Sequence, residues 1–543
     1  MKYNMNESSA VAIQRRFHMI GIAILGSLAV SSSAARAEDQ LVQLGKNIFF
    51  DTSLSLNGKQ SCASCHDPGV GYTGADSLVN ASEAVYEGTL PERYGNRKPP
   101  TAAYCGDSPV LAYQEAGSEW IGGMFWDGRA TGWTLGDPLA EQAQGPFLNP
   151  LEQAMPHARQ ICVRIASSAY ADLFREVWGP KSLDHVKDVE GTYERVARSV
   201  AAYERSSEVN PYSSKFDLFW DNAEDAGKDV TQIKIDIGGG GTGATATSKM
   251  QNGSVTTVTV STGGSGYMSA PRVSFMGGMG SGAAATATVQ DGVVVAVVVT
   301  SGGAGYRMAP RVTITATDVN PNYWQAFRGL GLTDTELTGL AVFNDASRSN
   351  CSSCHTLTPG SAGYPMFTNY SYKNLGIPKN PDNPFYSMPQ QTNPDGANWV
   401  DLGLGGFLKN AGFSAEIHQP EMGKFKVPTL RNVDLRPGED FVKAYGHNGY
   451  FKSLPEIILF YAWRSMMDGG GCMCGGGMGG GGMGGGGMGG GGMGGGGMGC
   501  GCMNGVMFPE PEVNENRTQL TMIRMMDQAS VLAFLKTLSD GYF

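Results

Sequence analysis

The pattern C-x-x-C-H occurs twice in the chain, at Cys62–His66 and at Cys351–His355, and no other feature restricts the fold as strongly. Two cysteines separated by two residues and followed at once by a histidine are typical of covalent c-type haem attachment. The imidazole next to the second cysteine then lies beneath the iron as its proximal ligand. A zinc ribbon or a redox dithiol explains the pattern less well, because neither needs a histidine at that position. We therefore expect two covalently bound c-type haems, attached through Cys62, Cys65, Cys351 and Cys354, with His66 and His355 as the proximal iron ligands.

Residues 1–37 have the layout of a secretory signal peptide. Arg15–Arg16 precede the apolar run Met19–Val30, and the small-residue site Ala35–Ala37 follows. The apolar run of about 12 residues is too short to cross a bilayer as a helix, and no later segment offers about 18 uninterrupted apolar residues. We therefore expect an exported protein without a membrane span, in the periplasm or on the outer cell surface of a bacterium.

Charge and composition exclude one class of protein and indicate unusual segments. The formal net charge is −10, and no cluster of Lys and Arg forms the basic face that nucleic-acid binding requires. Glycine makes up 78 of the 543 residues, about twice its ordinary share. Parts of the chain are therefore expected to be repetitive or of low complexity.

Residues 229–317 form one such segment, an insertion of two copies with a period of 39 residues. The runs Val255–Val260 and Val293–Thr300 are rich in β-branched residues and bounded by glycine, which predicts strands. A small β-rich unit that docks onto a surface and a passive spacer both remain open. The repeat matches Gly266–Tyr267 with Gly305–Tyr306 and Ala270–Val273 with Ala309–Val312.

The loop 469–503 is the second unusual segment, a glycine tract with methionine at every fifth position. Its composition cannot form a packed core, because glycine maximises the entropy cost of ordering. One hypothesis is a flexible loop closed by disulfides between Cys472 or Cys474 and Cys500 or Cys502. The other is Cu(I) binding by soft sulfur donors. Cys105 and Cys162 remain as candidates for a further disulfide.

Several segments around the two haem motifs resemble segments of the bacterial di-haem cytochrome c peroxidase and MauG family. They occur in the same order along the chain as in that family. Outside the two insertions, the resemblance covers nearly all of the chain after residue 37. The segments that carry it are Leu44–Asp51, Leu54–Gly58, Gly122–Ala130, Leu332–Glu336, Lys373–Gly376, Phe425–Val433, Gly446–Gly449 and Leu535–Leu538.

The resemblance implies a mainly α fold with two cytochrome-c-like haem domains. Residues 38–228 would form the N-terminal domain, whose haem is the peroxide site. Residues 318–543 would form the C-terminal domain, whose haem relays electrons and which contains the loop 469–503.

The resemblance also implies polar groups beside the peroxide site. Cleavage of peroxide needs a group that moves a proton between the two oxygens, and the family's Glu and Gln match Glu152 and Gln142. Glu152 follows the apolar run Phe147–Leu151, which would raise its pKa if the carboxyl were buried. Trp126 matches an aromatic residue between the haems, and Pro146 matches a wall of the pocket. A surface position for Glu152 or Gln142, a core role for Trp126 and an ordinary turn at Pro146 remain open.

The sixth ligand of the second haem distinguishes branches of the family. His447 matches a histidine near that haem, and the residue fourteen positions later, where the family has Met or Tyr, is Tyr461. Methionine raises the haem potential, whereas tyrosinate stabilises ferric and higher states, so Tyr461 favours the MauG branch. Met466 and Met467 are alternatives if the register is shifted.

Two departures from the family pattern concern its other ligands. No histidine occurs from Asp67 to Pro156, so the distal histidine of many members is missing and peroxide should reach the iron without prior reduction. Lys98 stands where an asparagine ligand of the family's calcium is expected. Calcium is therefore an open expectation.

These observations favour reduction of hydrogen peroxide to water, with electrons from a small cytochrome c or cupredoxin relayed between the haems. The alternative is MauG-like, peroxide-dependent oxidation of an aromatic side chain in a protein partner. A second alternative, from another class, is a surface electron-transfer or copper-binding protein. Family members are often dimers, which makes a homodimer the expected assembly.

Overall fold

The computed structural model describes residues 36–235, 241–267, 269–316, 322–468 and 508–543. Most of the predicted signal peptide and all of the loop 469–503, with its four cysteines and the copper hypothesis, lie outside the described residues. The side chains of Met466 and Met467 lie outside them as well. Within the described ranges, no helix is long and apolar enough to cross a membrane.

The chain divides into two compact units, each containing one haem motif. The first unit comprises Met1–Tyr212, Pro359–Ile457 and Met498–Gln519. The second unit comprises Ser213–Thr358, Ile458–Gly497 and Leu520–Phe543. The segment Pro359–Ile457 therefore belongs with the first haem motif, although it follows the second one in the sequence.

Helices contain 33% of the residues and strands contain 18%. The strand content is therefore higher than the predicted mainly α fold implies. The helices are α1 (36–49), α2 (Ser77–Ala81), α3 (Pro138–Leu148), α4 (Ala158–Ala166), α5 (Ala171–Trp178), α6 (Val189–Glu204), α7 (Lys215–Asp225), α8 (Asp334–Asn344), α9 (Gly403–Asn410), α10 (Ala415–His418), α11 (Leu454–Asp468) and α12 (Met525–Lys536). The strands are β1 (Ala112–Gln114), β2 (Glu119–Ile121), β3 (Thr242–Gln251), β4 (Ser254–Ser265), β5 (Arg272–Met276), β6 (Ser281–Gln290), β7 (Val293–Ala304), β8 (Arg311–Thr315), β9 (Tyr372–Lys373) and β10 (Phe425–Lys426).

The first unit is built on α6, which lies in the middle of its apolar core. Asp188 caps the helix by accepting a hydrogen bond from the Gly191 amide at 3.0 Å. Helix α1 crosses α6 closely at Gly45, where a Cβ atom would lie only 1.8 Å from the carbonyl oxygen of Ser199. Only glycine permits this approach of two backbones. The crossing fixes the chain that leads into the first haem motif.

The second unit contains a similar close helix crossing at a glycine, between α8 and α12. A Cβ atom at Gly339 would lie 1.9 Å from the carbonyl oxygen of Ser530. Phe343 of α8 packs edge-on against Phe534 of α12, with ring centroids 5.2 Å apart. Thr333 and Glu336 form a capping box at the start of α8, because the Thr333 side chain and the Glu336 carboxylate each bind the other residue's amide.

The predicted strands of the repeat insertion are confirmed. Strands β3 and β4 form a hairpin, and β5 to β8 form a four-stranded antiparallel sheet in the order β7-β6-β5-β8. The two copies exchange equivalent hydrogen bonds, from the Tyr267 amide to the Gly292 carbonyl and from the Tyr306 amide to the Gly253 carbonyl, both 3.0 Å long. Both tyrosine side chains are buried. Two copies of the repeat are therefore enough to form a folded β unit, because each copy covers the hydrophobic core of the other.

Candidate functional site

The two C-x-x-C-H motifs adopt the same backbone geometry. In Cys62–His66, the amides of the second cysteine and of the histidine donate to the carbonyl of the first cysteine at 3.1 and 3.0 Å. In Cys351–His355, the same two bonds are 3.2 and 2.9 Å long. All four motif thiols are unpaired. Each motif thus presents two thiols within one 3-10 turn with an imidazole beside them, the donor set that c-type haem attachment requires.

His66 is held as a neutral imidazole. Its Nδ1 donates to the carbonyl oxygen of Tyr72 at 3.1 Å. Burial lowers the pKa of His66 to about 4 despite this hydrogen bond. The Nε2 atom therefore carries a lone pair that can bind iron, and the carbonyl fixes the ring orientation. These residues fit a haem with His66 as the proximal ligand.

Glu152 lies near the cysteines of the first motif. It sits in the turn after α3, where its amide donates to the Asn149 carbonyl and its Oε1 accepts from Asn149 Nδ2 at 2.8 Å. Its charge raises the pKa of both Cys62 and Cys65, so the carboxyl lies within electrostatic range of both sulfurs. Burial raises the pKa of Glu152, while Arg129 and the Asn149 hydrogen bond oppose that rise. The result is a carboxyl that can hold a proton beside the haem-attachment site.

Gln142 is placed less tightly. It lies half-buried on α3, one turn before Pro146, which is inside the same helix. Among the described residues it makes no hydrogen bond to the haem motif or to Glu152. Gly145 packs against the Phe125 ring, since a Cβ atom there would lie 3.1 Å from Phe125 Cζ. Helix α3 therefore packs on the loop that carries Trp126.

Trp126 is anchored at both its backbone and its side chain. Its indole Nε1 donates to the Lys98 carbonyl at 2.9 Å, and its own carbonyl accepts from the Lys426 amide at 2.9 Å. The indole lines a largely apolar cavity together with Tyr104, Cys105, Tyr370 and Lys426. A half-buried tryptophan held in this way has a fixed position beside the cavity, as an electron relay requires.

A buried network of ions adjoins Trp126. Arg97 contacts the Asp127 carboxylate at 2.6 Å and the Asp401 carboxylate at 2.6 Å. Burial alone would raise the pKa of Asp127, but Arg97 and Arg129 outweigh it and lower the pKa to about 2. Asp127 therefore stays ionised, and the network fixes the loop on the side that follows Trp126.

His447 lies in the first unit, close to this network. Its ring stacks on Phe425 with centroids 3.5 Å apart and an interplanar angle of 10°. Its Nε2 lies 3.8 Å from Glu512 Oε2, and both side chains are buried. Its carbonyl accepts from the Lys98 amide at 2.9 Å. The contact of His447 with a haem, which the resemblance implies, stays a prediction.

Tyr461 lies beside the second motif within the second unit. It is carried by α11, and burial together with the charges of Cys351 and Cys354 raises the pKa of its phenol. These surroundings favour the neutral phenol, so a metal ion would be needed to hold it as phenolate. The structure thus brings together Tyr461 and the two cysteines that would attach the second haem.

Comparison with known proteins agrees with this geometry. A sequence model of the family described as di-haem cytochrome c peroxidase matches residues 39–225. The chain is 27% identical to the methylamine utilization protein MauG of Paracoccus denitrificans over 453 residues, which are 82% of this chain and 81% of that protein. The chain resembles the di-haem cytochrome c peroxidase and MauG family over most of its length. It is an enzyme of that class, a peroxide-dependent oxidoreductase.

Further relatives match parts of the chain or its fold. The cytochrome c551 peroxidase of Nitrosomonas europaea is 29% identical over 188 residues, 34% of this chain and 45% of that protein. The diheme peroxidase BthA of Burkholderia thailandensis has a similar fold, with a TM-score of 0.55, 21% identity, and coverage of 93% of this chain and 86% of BthA. Two c-type haems are accordingly the cofactors that the similarity to this family implies.

Calcium binding, which the resemblance implies, stays a prediction. Among the described residues, no group of three or more His, Cys, Asp or Glu side chains could hold a metal ion. Lys98 occupies the position expected for an asparagine ligand, and its Nζ donates to Thr73 Oγ1 at 2.8 Å and to the Pro99 carbonyl at 2.9 Å. Burial lowers the pKa of Lys98 to about 7. The Lys98 amine therefore contacts the Thr73 and Pro99 oxygens at the position where the resemblance implies a calcium ligand.

The hypothesis of a disulfide between Cys105 and Cys162 is wrong in this structure. Both thiols are unpaired. The Cys105 thiol donates to the Thr101 carbonyl at 3.1 Å, and the Cys162 thiol donates to the Val189 carbonyl at 3.7 Å. Each thiol is thus satisfied locally.

One residue that the sequence analysis missed is Glu204 at the end of α6. It follows Val196 and Val200 at intervals of four residues, and all three side chains are buried. Residues four apart share a helix face. A glutamate on an otherwise apolar face was therefore the signal that could have identified it.

Proposed function

We propose that this di-haem enzyme reduces hydrogen peroxide at the haem held by Cys62, Cys65 and His66, with Glu152 as the proton-transferring group. The surroundings of Glu152 support the proposal: its carboxyl acts electrostatically on both motif thiols, its Oε1 accepts from Asn149 Nδ2 at 2.8 Å, and burial raises its pKa. A group in this position can exchange a proton with a peroxide oxygen.

The bound haem supplies the iron that accepts peroxide and the electrons that cleave the O–O bond. Glu152 takes the proton from the inner oxygen and delivers it to the outer one, which leaves as water. Arg129 and Asn149 limit the rise of the Glu152 pKa, so the carboxyl can release its proton as well as hold it. Gln142 would orient the peroxide from α3. In total, hydrogen peroxide takes up two electrons and two protons and gives two molecules of water.

Cys351, Cys354 and His355 would hold the second haem, which would supply the electrons, and Trp126 would relay them. An anchored indole beside an apolar cavity suits this role, because its orientation stays fixed during transfer. A small cytochrome c or cupredoxin would deliver the electrons outside the cytoplasm, in agreement with the predicted signal peptide. A homodimer is the proposed assembly.

A second candidate function is MauG-like oxidation of an aromatic side chain in a protein partner. Tyr461 supports it, because the charges of Cys351 and Cys354 contribute to the raised pKa of its phenol, as expected for a residue near the second motif. Tyrosinate ligation would stabilise ferric and higher states of that haem. The long match to MauG of Paracoccus denitrificans supports the same branch.

The role of Glu152 is tested by the Glu152→Gln variant in the purified holoprotein. The variant should keep both haems attached but react with peroxide at least tenfold more slowly, within the range of roughly 10² to 10⁴ typical of general acid–base catalysis. Glu190→Gln is the control, because Glu190 is exposed in the first turn of α6. Stopped-flow absorption measures the rate, and an unchanged rate in Glu152→Gln would remove this residue from proton transfer.

The same experiment separates the two functions. Rapid peroxide-dependent oxidation of a reduced small cytochrome or cupredoxin would support peroxide reduction. A long-lived oxidised enzyme that does not turn over such donors would support oxidation of a protein partner.

A further inference from the structure

Glu204 is a buried carboxyl in the first unit that the proposed proton transfer by Glu152 does not use. It is the last residue of α6, and only 4% of its surface is exposed. Its Oε2 atom is buried and has no hydrogen-bond partner among the described residues. An ionised carboxylate in such a place would lose its hydration without replacement, which strongly favours the protonated form.

The surroundings of Glu204 lead to the first haem motif. After burial itself, Glu204 is the largest contribution that raises the pKa of Cys62, and it also raises the pKa of Cys105. Cys62 is one of the two haem-attaching cysteines, and Cys105 lines the cavity that contains Trp126. The carboxyl therefore lies within electrostatic reach of the haem attached through Cys62.

The charged groups around Glu204 leave it without a cation of its own. Arg205 is next in the chain and lowers the pKa of Glu204, but Arg205 pairs with Asp137, the N-cap of α3, at 2.8 Å. Asp137 raises the pKa of Glu204 in turn. Two further titratable groups that interact with Glu204 are the thiols of Cys62 and Cys105. Burial dominates, and it raises the pKa of Glu204 to about 8.

We propose that Glu204 couples reduction of the haem attached at Cys62 to the binding of one proton. The iron gains one electron from the electron donor and passes from ferric to ferrous, and the Glu204 carboxylate gains one proton from solvent. The only bond formed is the O–H bond of the carboxyl. Loss of one positive charge at the iron makes a nearby negative charge less favourable, so the carboxylate takes up a proton. Glu204 acts on the iron through its charge and does not touch the reacting oxygens, so it is a positioning residue and not a catalytic one.

This inference rests on haem attachment at Cys62 and not on the role of Glu152. Its direct consequence is a pH-dependent midpoint potential. Well below pH 8, Glu204 is protonated in both redox states and the potential is constant. Above the pKa of the ferric state, reduction brings a proton with it, and the potential falls with rising pH. A tenfold change in proton activity corresponds to at most 59 mV for a one-electron couple, so the slope approaches 59 mV per pH unit.

The test is a spectroelectrochemical titration of the full-length holoprotein from pH 6 to pH 10. In the natural protein the potential of the first haem should be flat near pH 6 and fall above pH 8. Glu204→Gln has nearly the same shape and no titration, so its potential should stay flat across the range. Glu194→Gln is the matched control, because Glu194 lies on the same helix in a partly exposed pair with Arg198 and should retain the slope.

Infrared difference spectroscopy of the natural protein gives a second readout that does not depend on the variant folding. At pH 9, reduction should produce the carbonyl band of a protonated carboxyl, which shifts in D₂O. A flat potential in the natural protein, a retained slope in Glu204→Gln, or the absence of that band would each overturn the proposal. A Glu152→Gln variant with a slow peroxide reaction and an unchanged slope would leave it intact.

Discussion

Replacing Arg97 by glutamine should destabilise the first unit more than any surface substitution. Arg97 contacts Asp127 and Asp401 at 2.6 Å each, and the three side chains are only 11%, 11% and 3% exposed. Without the guanidinium, two buried carboxylates lie close together with their main cation gone. Breaking a buried ion pair by removing one partner costs about 3 to 5 kcal/mol. Urea unfolding followed by circular dichroism measures the loss.

The control for this prediction is Arg175→Gln. Arg175 pairs with Asp172 at 2.8 Å on the surface of α5, where Asp172 is 95% exposed. Exposed pairs of this kind contribute about 0 to 1 kcal/mol. If Arg97→Gln and Arg175→Gln unfold at the same urea concentration, the buried network does not stabilise the fold and the reasoning is refuted.

The pH dependence of the natural protein checks the same network. The folded pKa of Asp127 is about 2, below its unfolded value of 3.8. Its contribution is therefore fully present above pH 3.8 and is lost as the pH falls towards 2. A shift of this size corresponds to about 2 to 3 kcal/mol. Arg97→Gln should show a smaller loss of stability over that window, because its Asp127 no longer has the depressed pKa.

Three further predictions concern packing, ligation and metal binding. Gly45→Ala should destabilise the protein by about 1 to 3 kcal/mol in urea unfolding, because its Cβ would lie 1.8 Å from the Ser199 carbonyl oxygen. Gly438→Ala is the control and should leave the stability unchanged, because a Cβ atom at Gly438 would have nothing within 4 Å. Equal unfolding midpoints of the two variants would contradict the close helix crossing. Tyr461→Met should raise the potential of the second haem and change its electron paramagnetic resonance signal, and an unchanged signal would show that Tyr461 is not the ligand. The copper hypothesis predicts that removing residues 469–503 abolishes stoichiometric Cu(I) uptake, and equal uptake by the shortened chain would end it.

Features encoded by neighbouring residues were predictable from the sequence. The capping box of Thr333 and Glu336, the strands of the 39-residue repeat and the two haem-motif turns each depend on side chains a few positions apart. Their geometry follows from local hydrogen bonding and periodicity. These are also the parts of the fold that the structure confirms.

Features encoded across long distances in the chain were not predictable. Arg97 and Asp401 are 304 residues apart, and nothing near either residue indicates the other. The segment Pro359–Ile457 carries Phe425 and His447 into the first unit, which the order of the motifs did not indicate. The proposed pairing of Cys105 with Cys162 was wrong for the same reason, since counting cysteines gives no information on where each thiol points.

The two carboxyls near Cys62 show how one site can hold protons with different roles. Glu152 accepts a hydrogen bond from Asn149 and interacts with Arg129, both of which oppose the rise of its pKa, so it can both give and take a proton during turnover. Glu204 has a buried oxygen without a partner, and its neighbour Arg205 is paired with Asp137, so burial dominates and its proton is held more firmly. Environments that separate the pKa values of two acids also separate their functions. Glu152 is therefore suited to moving a proton between oxygens, and Glu204 to compensating the charge of the iron.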